Sequence, residues 1–167
     1  MPEEKLNVIS DAHYSAIGQV TASWALFEYN IDYSCWMVAG LRSNVGACFT
    51  AQIMGPAKKL DALASLLNIY ELPKIATALN KMSTQIRNLG DERNRALHDM
   101  WLADEETGEP HRFEISAKKT VTIKSIPVST AALHDLAIRI LNQLGAFDAV
   151  MEPVLAQLPS LPDTPAQ

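Results

Sequence analysis

Apolar positions recur at helical spacing over most of this 167-residue chain. From about Leu6 to Arg42 neither a proline nor consecutive glycines interrupt the pattern, which predicts one long helix. Ile9, Ala16, Ile17, Val20, Trp24, Phe27, Ile31, Cys35 and Val38 share its main face, and Leu26, Tyr29, Tyr33, Trp36 and Met37 gather on the opposite side. A helix apolar on two sides is buried on two sides. The second side is read either as a subunit interface or as a surface wrapped by the chain itself. Ser43-Asn44 offers a cap for a short helix to about Ile53. Gly55-Pro56 ends that helix and opens the next, whose apolar face is Leu60, Leu63, Leu66, Leu67 and Tyr70. Leu72-Pro73 breaks the chain again before the best stripe of all, formed by Ile75, Leu79, Met82, Ile86, Leu89, Leu97 and Met100.

After Trp101 the period changes from helical to two. Glu105 to Pro110 is turn-like, and Arg112-Phe113-Glu114-Ile115 and Thr120-Val121-Thr122-Ile123 alternate polar with apolar residues as strands do. With Trp101-Leu102-Ala103 they predict a two- or three-stranded antiparallel hairpin. Ser129-Thr130 caps a last helix carrying Leu133, Leu136, Ile140, Leu144, Phe147, Met151 and Leu155 on one face. The expected fold is therefore all-α, an antiparallel helical bundle with a small β-hairpin inserted before the last helix. Residues 1–157 read as a single domain, and the proline-rich 158–167 as a disordered tail.

Composition narrows the classes of function. A chain of this length with 48% hydrophobic residues can bury a core of its own. A net charge of -5 removes any broad attraction to nucleic acid, so a polyanion site has to be local. Cys35 and Cys48 lack metal spacing and read as buried thiols in a reducing compartment. The chain shows neither a charged-then-apolar leader nor a bilayer-length apolar run, so a cytoplasmic protein with no membrane association is expected. Lys58 and Lys59, in the first turn of a helix, oppose its dipole and hint mildly at an anion partner, with solvated lysines the more common explanation.

The polar chemistry is concentrated between Arg87 and Trp101. At 100° per residue, Arg93 falls in the middle of the apolar stripe, where packing alone would not place a guanidinium. Asn94 and His98 lie one turn apart on a more polar face with Arg87 and Asp91. A core-facing arginine calls for a carboxylate, for which Glu28 is the first candidate and Asp32 the second. His98, near a helix C-terminus, could equally serve as a cap that complements the dipole. His13 reads as a core or capping residue. No two histidines stand at i,i+4, so neither a metal site nor any other cofactor is expected. Glycine-rich phosphate loops, a Gly-x-Ser-x-Gly elbow and Cys-x-x-Cys are all missing, which disfavours nucleotide-fuelled enzymes and classical hydrolases.

Arg93-Asn94-Arg95-Ala96-Leu97-His98 resembles the signature of the HEPN superfamily, an arginine followed by a polar residue and then a histidine after a short gap near the end of a long helix. The resemblance extends more loosely to Trp24–Glu28 and to a tryptophan after the histidine. It implies a metal-independent endoribonuclease of toxin–antitoxin or phage-defence type, in which two copies of the motif meet across a homodimer. By this resemblance Arg93, Asn94 and His98 are the catalytic residues. His98 is the acid/base, Arg93 stabilises phosphate charge and Asn94 orients, while Arg87 and Arg95 are placed to bind RNA. Other members of that superfamily have lost catalysis, so the competing expectation is a helical dimerisation or interaction module with an antitoxin or another protein as partner. The acidic net charge favours that second expectation.

Overall fold

The computed structural model describes residues 8–117 and 120–158. It contains α1 (Asp11–Val38), α2 (Ser43–Thr50), α3 (Pro56–Ile69), α4 (Pro73–His98), β1 (Met100–Ala103), β2 (Pro110–Ala117), β3 (Val121–Pro127) and α5 (Thr130–Leu155). The fold is mostly helical, with one three-stranded antiparallel sheet ahead of the last helix. The expected helix start near Leu6 and the expected tail beyond Leu158 lie outside the described residues. None of the helices is long and apolar enough to cross a membrane among the described residues. The chain divides into two compact units, Met1–Ser23 with Gly90–Arg139 and Trp24–Leu89 with Ile140–Gln167.

The second unit holds the larger apolar core. Phe27, Ile31, Leu60, Leu63, Leu67, Leu79, Ile86, Ile140, Phe147 and Met151 are all buried there, on the faces that helical period predicts. Phe27 is edge-on to Phe147, with ring centroids 6.1 Å apart. Ser83 Oγ donates to the Ala57 carbonyl at 3.1 Å and so ties α4 to α3. Glu71, in the left-handed region at φ 60°, turns the chain from α3 towards Pro73.

Some sequence expectations in this unit change: Ser43 is the first residue of α2, with Arg42 in the cap position and no side-chain cap hydrogen bond. Trp36, on the second apolar side of α1, is buried within the chain itself, one of the two readings open for that side, and its indole Nε1 donates to Thr50 Oγ1 at 3.1 Å. Gly46 of α2 lies against that ring, and a Cβ there would overlap it. Leu26, Tyr29 and Tyr33 of the same side remain exposed, with Tyr29 and Tyr33 stacked. Lys59 is buried, not solvated, because α1 presents it with two carboxylates, Glu28 and Asp32, each 2.9 Å from Nζ. Burial is the largest influence on its pKa and pulls it down, but the hydrogen bonds from Asp32 and Glu28 outweigh it and the value ends up raised. Cys35 is buried as expected, and desolvation together with Asp32 pushes its thiol up to about 12. Cys48 is exposed, since the short α2 turns it away from the Trp36 contact. Tyr70 falls just beyond α3 and is exposed instead of completing that helix's apolar face.

The first unit combines short segments of α1, α4 and α5 with the sheet. His13 is its buried histidine: Nε2 meets the Val128 carbonyl at 3.3 Å and Nδ1 meets Ser10 Oγ at 3.2 Å. The carbonyl can only accept, so Nε2 carries a proton. Strand order is β1-β2-β3, with Trp101 opposite Arg112 and Ile115 opposite Ile123. Asp104 closes the β1–β2 turn by accepting from the backbone N–H groups of Glu106 and Thr107, and these bonds hold its carboxyl below the usual range. Ser129 Oγ accepts from Ala132 N at 3.2 Å and caps α5, as the sequence predicts. Met100 does not extend the α4 stripe, because the helix ends at His98 and Met100 opens β1 with its side chain exposed.

Candidate functional site

The last turns of α4 bury Ala96, half-bury Leu97 and so turn Asp91, Asn94, Arg95 and His98 outward. Trp101 folds back from β1 and donates its indole N–H to the Ala96 carbonyl at 2.9 Å. That bond satisfies one of the carbonyls a helix C-terminus leaves open and fixes where the sheet begins. The alternation along β2 then decides what faces the helix. Arg112 and Glu114 form ion pairs with residues at the end of α4, whereas Ile115 on the other side of the strand is exposed, as is Ile123 opposite it.

Between them lies an open cleft of about 570 Å³, lined by Asp91, Asn94, Arg95, His98 and Asp99 together with Glu114, Ile115 and Ser116 of β2. Two of the three residues of the Arg-x4-His segment singled out as catalytic, Asn94 and His98, therefore open on one cavity. Arg93 is half-buried, and its Nη1 donates to Asn94 Oδ1 at 3.0 Å. The Asn94 oxygen thus orients Arg93, and no hydrogen bond joins Asn94 to His98 among the described residues. The His98 residue is exposed, and its ring makes no hydrogen bond among the described residues.

The charges around the cleft are mixed. Arg95 Nη1 lies 2.6 Å from Glu114 Oε2, and this hydrogen bond holds the Glu114 carboxyl below the usual carboxylate range. Arg112 Nη1 is 3.4 Å from Asp99 Oδ2, an ion-pair contact too long for a good hydrogen bond. Asp91 adds a third carboxylate to the lining. Arg139 of α5 grips Glu92 through two bonds, at 3.0 and 2.5 Å, and Asp135 through Nε at 2.9 Å. That grip lowers the Glu92 pKa.

The remaining expected site residues stand elsewhere. Arg87 belongs to the other compact unit, where it pairs with Asp61 at 2.9 Å. Glu28 belongs to that unit too and meets Lys59 there. Lys59, considered above as a possible anion contact, is committed to carboxylates, while Lys58 is exposed. Asp91 was read on the same polar face as Asn94 and His98, whereas Asp99, Glu114, Ile115 and Ser116 were not foreseen as cleft residues. The signal that could have found Glu114 is the polar phase of β2: two alternate charged residues, Arg112 and Glu114, on one strand face require partners. No group of three histidine, cysteine or acidic residues is placed to hold a metal ion among the described residues. Comparison of the chain with models of known families, with curated proteins and with solved structures finds no match.

Proposed function

We propose that the protein is a metal-independent endoribonuclease of the HEPN kind, acting as a cytoplasmic homodimer in a toxin–antitoxin or phage-defence setting. The observation that carries the reading is the shared cleft: Asn94 and His98 open on it, and Arg93 is bonded to Asn94 at its edge. RNA supplies its own nucleophile. The 2′-hydroxyl attacks the neighbouring phosphorus, the 5′-oxygen leaves, and the products are a 2′,3′-cyclic phosphate and a free 5′-hydroxyl. The protein has only to move two protons and stabilise charge. One His98 takes the 2′ proton, and the His98 of a second copy delivers a proton to the departing oxygen. Arg93, held by Asn94, supplies the fixed positive charge for the phosphate oxygens. In such a dimer the helices form an antiparallel bundle.

A second reading, a non-catalytic dimerisation or interaction module, is favoured by a different observation. Asp91, Asp99 and Glu114 line the same cleft, and Leu26, Tyr29 and Tyr33 lie exposed on α1. The experiment that separates the two readings incubates wild type and His98→Ala with a mixed RNA pool in EDTA. Cleavage with cyclic phosphate ends, lowered about two to four orders of magnitude in His98→Ala, is the expected result. Equal activity in both proteins overturns the nuclease reading and leaves the interaction module.

A further inference from the structure

A phosphate entering the cleft beside His98 meets more acids than bases. Three carboxylates, Asp91, Asp99 and Glu114, line it against a single arginine or lysine among the described residues, Arg95. That cation is already held. Arg95 Nη1 lies 2.6 Å from Glu114 Oε2, with the two side chains 44% and 26% exposed, so the pair is open to solvent and to a ligand in the cleft. A carboxylate oxygen and a phosphodiester oxygen ask the same thing of a guanidinium, a short charge-assisted hydrogen bond. Glu114 therefore occupies the place on Arg95 that an incoming phosphate needs.

Glu114 also has a second cation close by. In the register of β2 and β3 it stands directly opposite Lys124. Cross-strand neighbours of this kind project from the same face of the sheet, with Cβ atoms about 5 Å apart. Lys124 is exposed and forms no ion pair among the described residues. Its charge nevertheless reaches Glu114: the Arg95 bond is the main reason that the Glu114 carboxyl titrates low, and Lys124 adds to it through space.

We propose that Glu114 is an internal competitor for the phosphate of the cleft, holding Arg95 while the cleft is empty and turning to Lys124 when a phosphodiester arrives. Exposed ion pairs are individually weak, so a change of Glu114 rotamer exchanges one partner for the other without moving the strand. The inference rests on the nuclease reading for the nature of the anion, but binding of the anion can be measured without cleavage.

The test is a double-mutant cycle on the full chain. The probe is a fluorescent 2′-O-methylated oligouridylate, which lacks the attacking hydroxyl, and its affinity is read by anisotropy at one fixed salt concentration. Glu114→Gln releases Arg95 and is expected to tighten binding about tenfold. Asp91→Asn removes the same charge from the same lining without touching an ion pair, and is expected to change affinity less than about threefold. Lys124→Met removes the second seat and is expected to weaken binding severalfold in the wild-type background, but to lose most of that effect in Glu114→Gln. All the variants should melt near wild type, because exposed pairs add little stability. Equal tightening by Glu114→Gln and Asp91→Asn reduces the effect to net charge and overturns the proposal. A Lys124→Met loss that persists undiminished in Glu114→Gln makes Lys124 a direct phosphate contact and overturns it too, as does failure of every variant to bind the probe. His98-dependent RNA cleavage without this coupling removes the competitor and keeps the nuclease. The coupling without cleavage of RNA keeps the competitor and removes the nuclease.

Discussion

Replacing Lys59 by Met tests whether the buried cation holds α1 and α3 together. The Lys59 side chain is 6% exposed, and Glu28 and Asp32 each lie 2.9 Å from its nitrogen, with side chains 32% and 18% exposed. Met keeps much of the aliphatic stem, so the packing change costs less than about 1.5 kcal/mol. The larger effect is electrostatic. Two carboxylates on adjacent turns of α1 lose their common cation and repel each other. Removing one partner of a fully buried pair costs about 3–5 kcal/mol, and the partial hydration of both acids brings the expectation down to about 2–3 kcal/mol. For a chain of this size that corresponds to a fall of about 5–10 °C in melting temperature. Thermal and urea unfolding followed by circular dichroism measures it. Lys58→Met, one residue away and exposed, is expected to stay within about 0.5 kcal/mol of wild type. Asp32→Asn added to Lys59→Met relieves the repulsion and should recover part of the loss. The raised Lys59 pKa also fixes a pH window: the pair's contribution is complete below the ordinary lysine value near 10.5 and disappears as pH rises through the higher folded value. Equal stability of Lys59→Met, Lys58→Met and wild type would refute this account of the α1–α3 contact.

Gly46→Ala places a methyl group against the Trp36 ring, which is held by its bond to Thr50, and should destabilise by about 1–3 kcal/mol despite alanine's better helix propensity. A melting temperature equal to or above wild type would show that the ring can move aside. The lowered Glu92 pKa means that its bond to Arg139 stabilises the fold above the ordinary glutamate value of 4.5, and that this support is lost as pH falls through the lower folded value. Glu92→Gln should accordingly lose less stability than wild type between about pH 6 and about pH 3, and parallel curves would remove Glu92 from the acid transition. Exposed Tyr29 and Tyr33 on α1 are expected to face a second copy, so Tyr29→Lys with Tyr33→Glu should turn a dimer into a monomer in sedimentation equilibrium. A wild-type protein that is already monomeric at tens of micromolar removes both the dimer and the paired-histidine mechanism.

Periodicity alone determined the helices and their buried faces. The predicted faces of α1 from Ala16 to Val38, of α3 from Leu60 to Leu67 and of α5 from Leu133 to Met151 are inside or half-inside because each 3.6-residue period leaves one stripe that water disfavours. Punctuation was legible as well: Pro56 and Pro73 open helices, and Ser129 caps one. The Arg93, Asn94 and His98 spacing was visible in the same way, because one turn of helix sets it. Pairings between distant segments were not visible. Nothing in the local sequence says that Lys59 will meet Glu28 and Asp32, 31 and 27 residues away, or that Gly46 will lie under Trp36. The same limit applies to the strands. Alternation along β2 announced two faces, but only the approach of α4 decided that Arg112 and Glu114 turn towards the helix while Ile115 faces water. That choice adds Glu114 to the wall of the cleft beside His98. Its origin is ordinary: a strand's two faces are equivalent until another element supplies the charges or the apolar surface that one of them needs.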